Sequence, residues 1–341
     1  MIDWLDFVIP CLHDPIPAGR VMSILPSGEL EYDVPKRMQA TGTYESKMWV
    51  RSQGGDGEGR ATELYISGNP AKFLQGHNVF GCELVCDLAA GVVRKILDTV
   101  GISSDLTVAQ ALKGNFSVKR IDITRSFSFA SRNEVKAVLS SLAIKSRSRM
   151  GRAQTSGGTV YHGKQSRRHT LKFYCKAEEL EAGEKHKLPA ELEKTPIKEF
   201  AETLLRAELT LRSKELIELE KTEGKHFTPK VLDALYFDYF GRIEMAAQAY
   251  IPSEEIKLLS RSIRDSYLLW KEGVDVRPMM SKPTFYRHRS ELLPLGIDIA
   301  LPNEQVECEI IPLFRKVTGR PVGIPDWAYQ QGLVYQSRVG G

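Results

Sequence analysis

The 341-residue sequence has few cysteines and no long apolar segment, and each deficit excludes a class of protein. The five cysteines are an odd number scattered along the chain, so they predict no disulfide framework and favour a reducing compartment. Cys82 and Cys86 lack the tight paired spacing usual in zinc sites, so we expect no zinc site. No apolar run approaches the roughly 20 residues that cross a bilayer, and Asp3 and Asp6 interrupt the apolar N-terminus, which argues against a signal peptide. We therefore expect a soluble protein without a membrane partner.

Acidic residues are missing from residues 145–176, a segment that carries nine lysines or arginines. The segment that follows is instead rich in Glu. Such segregation of charge indicates an anionic partner on one face, although a solvated basic hairpin would show the same pattern. The nine basic residues are Lys145, Arg147, Arg149, Arg152, Lys164, Arg167, Arg168, Lys172 and Lys176.

Hydrophobic periodicity along residues 1–225 predicts an α+β fold with a largely antiparallel sheet and flanking helices. Residues 10–40 predict turns, and the basic, Ser- and Gly-rich residues 145–158 predict disorder. The predicted strands are MIDWLDFVI, a hairpin over 41–67, residues 116–129, a hairpin of TVYHG with RHTLKFYCK, and LRAELTLR. The predicted helices are CELVCDLAAGVVRKILDTVG, NEVKAVLSSLAIK, residues 176–194 and PIKEFAETLL.

The patterns become mainly helical in the last third of the chain, which predicts a boundary between a first domain over 1–225 and a DNA- or partner-binding region over 226–341. Two helical patterns within 254–300 are typical of a helix-turn-helix unit. The Pro- and Gly-rich residues after 300 predict an irregular tail.

The second of these helices has a clear beginning and end in the sequence. Ser281 is a capping residue and Gly296 a stop signal. Arg287 and Arg289 would then project from a recognition helix toward DNA. The alternative is an ordinary amphipathic helix with a polar outer face. In either case one face is apolar and comprises Phe285, His288 and Leu292.

Tyr174 lies in a strand pattern that separates charged from apolar side chains. Period-two alternation puts Lys172, Tyr174 and Lys176 on one face, while Phe173 and Cys175 point to the other. Two neighbouring ammonium groups favour a phenolate, so we expect a pKa below the usual value of about 10, as a tyrosine nucleophile requires. The alternative is an ordinary strand tyrosine with its hydroxyl in water.

Two other strands both read Arg-x-acid-x-Thr, and they carry Asp122 and Glu208 in mid-strand. Strands are depleted in Asp, so these acids need an explanation. Asp122 could pair with a cross-strand arginine. If the two strands are close in one sheet, the carboxylates instead converge on one face, where hard oxygen ligands suit Mg²⁺ or Mn²⁺. A metal, a tyrosine and nearby arginines fit phosphoryl transfer on DNA.

Several blocks resemble the replication initiator family of filamentous phages, the gene-two proteins. The most specific block is PAKFLQGHNVFG at 70–81. The stretches RIDIT at 120–124, SRRHTLKFYCKAEEL at 166–180 and LRAELTLR at 205–212 resemble later blocks of the family in the same order, and the opening MIDWL is similar to the family's start. The resemblance extends from residue 1 to about residue 215 and implies a rolling-circle-initiator-like fold.

The resemblance implies a site-specific, metal-dependent DNA endonuclease and strand transferase that initiates rolling-circle replication through a covalent 5′-phosphotyrosine. Tyr174 would be the nucleophile, and Lys176 would steady the phosphate or the tyrosinate. Asp122 and Glu208 are our choice of ligands for Mg²⁺ or Mn²⁺, with Glu179 as a weaker candidate. DNA contacts are expected from Arg120, Arg167, Arg168, Lys172, Arg206, Arg287 and Arg289.

His77 lies in the most specific block and is a candidate for the catalytic site, either as a metal ligand or as a DNA contact. The alternative is a turn and helix cap formed with its neighbours. Many rolling-circle nickases bind metal through two His separated by one apolar residue, whereas His162 and His169 here are seven apart, which favours a carboxylate site. Tyr161 on the neighbouring hairpin strand is a candidate second tyrosine.

The expected partners are double-stranded origin DNA, the displaced single strand, a host helicase and a single-strand-binding protein, in the bacterial host cytoplasm. A homo-oligomer on DNA would also fit. Two other interpretations stay open at this point. One is a non-catalytic, sequence-specific DNA-binding regulator of replication, and the other is a metal nuclease that uses water.

Overall fold

The computed structural model describes residues 1–184, 186–245, 259–293, 297–300 and 321–336. The strands are β1 (Ile2–His13), β2 (Arg20–Ile24), β3 (Leu30–Pro35), β4 (Met38–Thr41), β5 (Lys47–Gln53), β6 (Ala61–Gly68), β7 (Ser117–Ser128), β8 (Ser146–Ser148), β9 (Gly151–Arg152), β10 (Gln154–Ser156), β11 (Thr159–His162), β12 (His169–Cys175), β13 (Leu204–Arg212) and β14 (Glu244–Met245). The helices are α1 (Pro70–Gln75), α2 (Val85–Val100), α3 (Asp105–Leu112), α4 (Arg132–Lys145), α5 (Lys176–Glu181), α6 (Ile197–Ala201), α7 (Ser213–Glu218), α8 (Pro229–Gly241), α9 (Arg261–Lys271), α10 (Lys282–Leu292) and α11 (Asp326–Gln330).

A nine-stranded antiparallel sheet organises the fold, with the strand order β10-β11-β12-β13-β7-β1-β6-β5-β4. The predicted α+β class with a largely antiparallel sheet is therefore confirmed. Strands distant in the chain, such as β1 and β7, become central neighbours. As a result, side chains from four separate segments reach the same face of the sheet.

One face of this sheet is apolar and buried. Its central strands contribute Leu5, Phe7, Ile121 and Leu209, all with no exposed surface, and helices α2, α4 and α8 pack in the same core cluster. Burying a side chain of this size is worth about 2 kcal/mol relative to leaving it in water. Alternation then forces the residues between them, including Asp122, onto the opposite face.

The structure differs from the sequence prediction in segments whose secondary structure depends on tertiary contacts. Residues 10–40 form the hairpin β2–β3 and the edge strand β4 rather than turns alone. Residues 145–158, which predicted disorder, form β8, β9 and β10, and the buried Ser146 hydroxyl bonds His162 Nε2 at 2.9 Å. Helix α5 ends at Glu181 rather than continuing to residue 194, because Gly183 adopts a φ of 142°.

Helices α9 and α10 form a separate small core around Tyr267, Trp270 and Phe285. Helix α10 begins as predicted, with the Ser281 hydroxyl accepting from the Thr284 backbone N–H. The predicted apolar face is buried in the structure. The start of the 254–300 unit and Gly296 lie outside the described residues.

Residues 321–336 contain the short helix α11 and are otherwise irregular in secondary structure, as the composition predicted, but they pack against the rest of the protein. Residues 301–320 of the predicted tail lie outside the described residues. Trp327 packs edge-to-face against Phe80 and Phe200, with ring centroids 5.7 and 5.9 Å away. The Val322 backbone N–H donates to the Ser126 carbonyl at 2.8 Å. The last described segment is thus fastened to the large sheet, next to the 70–81 block.

Candidate active site

The pairing of β12, β13 and β7 brings the proposed chemical residues together. Lys172 lies opposite Glu208 on the adjacent strand, and Asp122 lies opposite Thr210, two residues beyond Glu208. Directly opposite residues share a face, so Tyr174, Glu208 and Asp122 converge on the polar side of the sheet. This convergence is the arrangement that the two Arg-x-acid-x-Thr strands predicted.

The Tyr174 hydroxyl donates a hydrogen bond to Glu208 Oε2 at 3.2 Å. Lys172 Nζ lies 2.5 Å from Glu208 Oε1 and 5.6 Å from the centre of the Tyr174 ring. Burial and the neighbouring Glu208 raise the pKa of Tyr174 well above 10. The expected lowering of this pKa is therefore wrong, since the Lys172 ammonium is engaged by a carboxylate and the phenol is 7% exposed.

Glu208 is a buried acid with a strongly shifted pKa. Burial raises its pKa to about 8; Lys172 opposes this shift, while the charges of Asp3 and Asp122 add to it. A carboxylate with such a pKa can exchange protons near neutral pH, which suits a general base. The Tyr174–Glu208 pair thus has the acceptor needed to activate a hydroxyl nucleophile.

Asp122 is buried beside Glu208 and is held by an arginine. The Arg120 guanidinium donates to both carboxylate oxygens, at 2.8 and 2.6 Å, and its Cζ lies 5.2 Å from the Trp4 ring centre. The sequence suggested a cross-strand arginine, but the observed partner lies two residues away on the same strand. Asp122 is therefore in an ion pair, and it also lies on the same face as Glu208.

Lys176 is fully buried behind the tyrosine. Its ammonium donates to Asn78 Oδ1 at 2.9 Å and to Glu179 Oε2 at 2.5 Å. Burial and the charge of Arg206 lower the pKa of Lys176 to about 8. Burial alone would raise the pKa of Glu179, but Lys176 and His186 lower it to about 2.

Asn78 links this pair to β1, because its amide nitrogen donates to Asp3 Oδ1 at 2.7 Å. Sequence reasoning missed Asp3 and Asn78 as site residues. Both lie in blocks that carried the family resemblance, and this was the available signal.

An open polar pocket joins these groups to solvent. Tyr174, Glu208 and Asp122 line its floor, and Tyr161 lies on the adjacent strand opposite Lys172. The rest of the lining is a mixture of polar, charged and aromatic side chains, including Trp4, Asn69, Asn78, Arg120 and Glu179. Such a pocket is suited to a charged polymer rather than to an apolar ligand.

Several expected site residues do not line this pocket, and three of them, Lys176, His77 and Arg206, have no exposed surface. His77 is fully buried; its Nε2 lies 2.8 Å from the Leu333 carbonyl, and its Nδ1 accepts from the Val79 N–H at 3.3 Å. Burial lowers its pKa to about 4. Arg206 is also fully buried and donates to the backbone carbonyls of Asn78 and Val79, both at 2.5 Å. These contacts give His77 a structural position and leave Arg206 out of reach of DNA.

The other basic candidates are unequally accessible. Arg167 and Arg287 are exposed. Arg168 is paired with Glu215 at 2.5 Å, and Arg289 is paired with Asp298 through two contacts of 2.7 Å. The paired arginines are less available to phosphate than their sequence positions suggested.

Within the described part of the chain, no three His, Cys, Asp or Glu side chains are grouped to hold a metal ion. Asp122 and Glu208 nevertheless supply the hard oxygen donors that Mg²⁺ prefers, and this ion often binds through two carboxylates plus phosphate and water. The two residues therefore fit a cation that binds together with DNA.

Comparison with known proteins identifies the family of this chain. Residues 1–232 match the family model for the N-terminal part of the replication-associated gene-two protein, and residues 252–334 match the model for its C-terminal part. The chain is 38% identical over 340 residues to the replication-associated gene-two protein of Enterobacteria phage I2-2, a match that covers 99% of this chain and 98% of that relative. The chain belongs to the gene-two protein family of filamentous phages. The resemblance seen in the sequence is thus confirmed.

As a member of the gene-two protein family, the protein has the role of a replication initiator and has DNA as its partner. Among the described residues, no helix has the length and apolarity to span a membrane. The family match extends over the C-terminal region that the sequence motifs could not assign.

Proposed function

We propose that this gene-two family protein nicks one strand of the phage origin and later rejoins the displaced strand, with Tyr174 as the nucleophile. The observation that carries the proposal is the hydrogen bond from the Tyr174 hydroxyl to Glu208, whose pKa is about 8, at the floor of an open polar pocket. Nucleophile and base are within bonding reach, as covalent catalysis requires.

In the nicking step, the Tyr174 oxygen forms a bond to the backbone phosphorus, and its proton passes to Glu208. The bond between phosphorus and the 3′ oxygen breaks, and that oxygen leaves with a proton from water. The 5′ phosphate remains on Tyr174 as an ester. In the rejoining step, a 3′ hydroxyl attacks the same phosphorus and releases its proton to water. The bond between phosphorus and the Tyr174 oxygen breaks, and that oxygen recovers its proton from Glu208.

The surrounding residues supply charge and position. Lys172 and Arg120 place cations beside the carboxylates, where the phosphate would enter. Lys176 holds Asn78 and Glu179, and it thereby fixes the wall next to the nucleophile. Asp122 would hold the Mg²⁺ or Mn²⁺ ion, and Glu208 would join it as a ligand only while its carboxyl carries no proton. When bound, such an ion withdraws electron density from the phosphate.

Contacts remote from the pocket would position the DNA. Exposed Arg167 and Arg287 are available to phosphates, so binding should weaken steeply with salt. The proposed partners are origin duplex, the displaced single strand, a host helicase and a single-strand-binding protein in the bacterial cytoplasm. Several copies would assemble on one origin.

The test uses supercoiled replicative-form DNA of the phage that encodes this chain, incubated with Mg²⁺. Wild-type protein, Tyr174→Phe and Tyr44→Phe are compared on denaturing gels with and without protease. Tyr44→Phe is a matched control because it removes one hydroxyl from the lining of the same pocket. We expect a protease-sensitive 5′ adduct with wild type and Tyr44→Phe, and none with Tyr174→Phe.

Two results would overturn the proposal. A nick that persists in Tyr174→Phe would indicate a nuclease that uses water. Tight origin binding without any nick in the wild type would indicate a regulator.

A further inference from the structure

The polar face of the sheet does not end at the pocket. Beyond β7 it continues over β1, β6, β5 and β4, where Met48, Val50, Leu64 and Ile66 point into the core with no exposed surface. The residues between them therefore point to the polar side. Aromatic and arginine side chains lie there among other polar groups. With Arg37, which precedes β4, and Arg120 on β7, we call this set the aromatic track: Trp4, Arg37, Trp49, Arg51, Tyr65 and Arg120.

Arginine planes and aromatic rings alternate along the track. The guanidinium carbons of Arg37 and Arg51 lie 5.0 and 4.9 Å from the centre of the Tyr65 ring. Arg120 lies over Trp4 in the same way. Trp49 is 37% exposed, a large fraction for a tryptophan in a strand. Rings and guanidinium planes of this kind are the groups on which unpaired bases stack.

The track is continuous with the pocket that contains Tyr174. Trp4 lines that pocket, and so does Gln39, which lies directly opposite Trp49. The strands that carry Trp4 and Trp49 are two strand spacings apart, which is about 10 Å. A strand held at the tyrosine can therefore reach the track without leaving the protein surface.

The acids on this face are already engaged. Asp6 accepts from the Trp4 indole N–H at 2.7 Å, and Glu63 accepts from the Gln53 amide at 3.4 Å. They reduce the positive charge of the track, whereas Trp49 keeps 37% of its surface exposed. Stacking rather than charge alone would thus provide the affinity.

We propose that the aromatic track binds the unpaired bases of single-stranded DNA that adjoins the nick. In a duplex the faces of the bases are covered by their neighbours, so only unpaired bases can stack on Trp49 or on the Arg51 plane. The inference rests on the proposed function, because it assigns a path to the strand that Tyr174 would cut.

The test measures binding of a fluorescein-labelled oligothymidylate by anisotropy, with full-length Tyr174→Phe protein so that no cleavage intervenes. Three further substitutions are introduced separately into the Tyr174→Phe protein: Trp49→Leu, Trp49→Phe and Arg51→Ala. Phe237→Ala is the matched control, because Phe237 is 38% exposed but lies on α8, against the apolar face of the sheet. Circular dichroism establishes that each variant is folded.

We expect Trp49→Leu to raise Kd about tenfold, since stacking of one base is worth about 1–3 kcal/mol. Arg51→Ala should raise Kd by a similar factor. Trp49→Phe retains a ring and should stay within about threefold of the parent, as should Phe237→Ala. Unchanged binding by a folded Trp49→Leu protein would overturn the inference.

The two proposals fail in different ways. If the wild-type protein forms the 5′ adduct and the Trp49→Leu variant binds single strands as tightly as its parent, only the proposal for the aromatic track is refuted. If the affinity for single-stranded DNA depends on Trp49 but the wild-type protein forms no 5′ adduct, the nicking proposal is refuted and the proposal for the aromatic track is supported.

Discussion

Replacing Glu208 by Gln should make the protein more stable at neutral pH while it removes the proposed base. The folded protein holds this carboxyl at a pKa of about 8, against 4.5 for an ordinary Glu. A raised carboxyl pKa means that the folded state retains a proton that the unfolded chain has lost at pH 7. The unfolded chain therefore gains about 1.4 kcal/mol for each pH unit above 4.5, or about 3 kcal/mol at pH 7. Gln cannot ionise, so the unfolded chain of the variant gains no such free energy, and the variant should be more stable than wild type at pH 7.

Urea unfolding of wild type and Glu208→Gln at pH 5 and pH 7 measures the effect. We expect the free energy of unfolding of the variant to exceed that of wild type by about 3 kcal/mol at pH 7 and by less than about 1 kcal/mol at pH 5. The same variant should form no 5′ adduct. A variant less stable than wild type at pH 7 would refute the reasoning, because it would mean that Glu208 is ionised when folded and is held by Lys172.

Glu215 offers a control because its pKa shift has the opposite sign to that of Glu208. Burial raises its pKa, but hydrogen bonds from Tyr239 and Arg168 outweigh burial and lower it. Its contribution to stability is present above the unfolded pKa and is lost as pH falls. Glu215→Gln should therefore destabilise the protein at pH 7 and have a smaller effect in acid.

Three further outcomes are expected. Chelation by EDTA should stop nicking but not origin binding, and Asp122→Asn should weaken Mn²⁺ binding, measured by electron paramagnetic resonance, about tenfold or more. Lys176→Met should lower the free energy of unfolding in urea by about 3 kcal/mol because Glu179 loses its buried partner, whereas exposed Lys187→Met should change it little. Trp327→Ala should cost about 2 kcal/mol in the same assay, through lost contacts with Phe80 and Phe200; a change within error would mean that residues 321–336 do not brace the 70–81 block.

The alternation of apolar and polar residues in the sequence was sufficient to predict the central strands of the sheet. The prediction for 116–129 and for LRAELTLR followed from side chains that alternate between apolar and polar, and both strands form with the predicted faces. Local patterns could not identify the hairpin β2–β3 or the short strands β8–β10. Those elements depend on partners that lie elsewhere in the chain.

The electrostatic character of the site could not be predicted from the local sequence either. Lys172 and Lys176 flank Tyr174 in the sequence, and their proximity suggested a stabilised phenolate. In the fold, Lys172 is turned to Glu208, and Lys176 is turned to Asn78 and Glu179. The sign of a pKa shift depends on burial and on neighbours from other strands, and neither is a property of a short segment.

By itself, the sequence determined which side chains share a face of a strand, because that depends only on the period of two of an extended chain. It also determined the family, through blocks whose order and spacing are retained. Only the tertiary structure decided that β12, β13 and β7 are neighbours, that His77 and Arg206 are enclosed, and that Trp49 and Tyr65 continue the surface that begins at Tyr174. These outcomes depend on strand order and on burial, which are fixed by contacts between residues far apart in the chain.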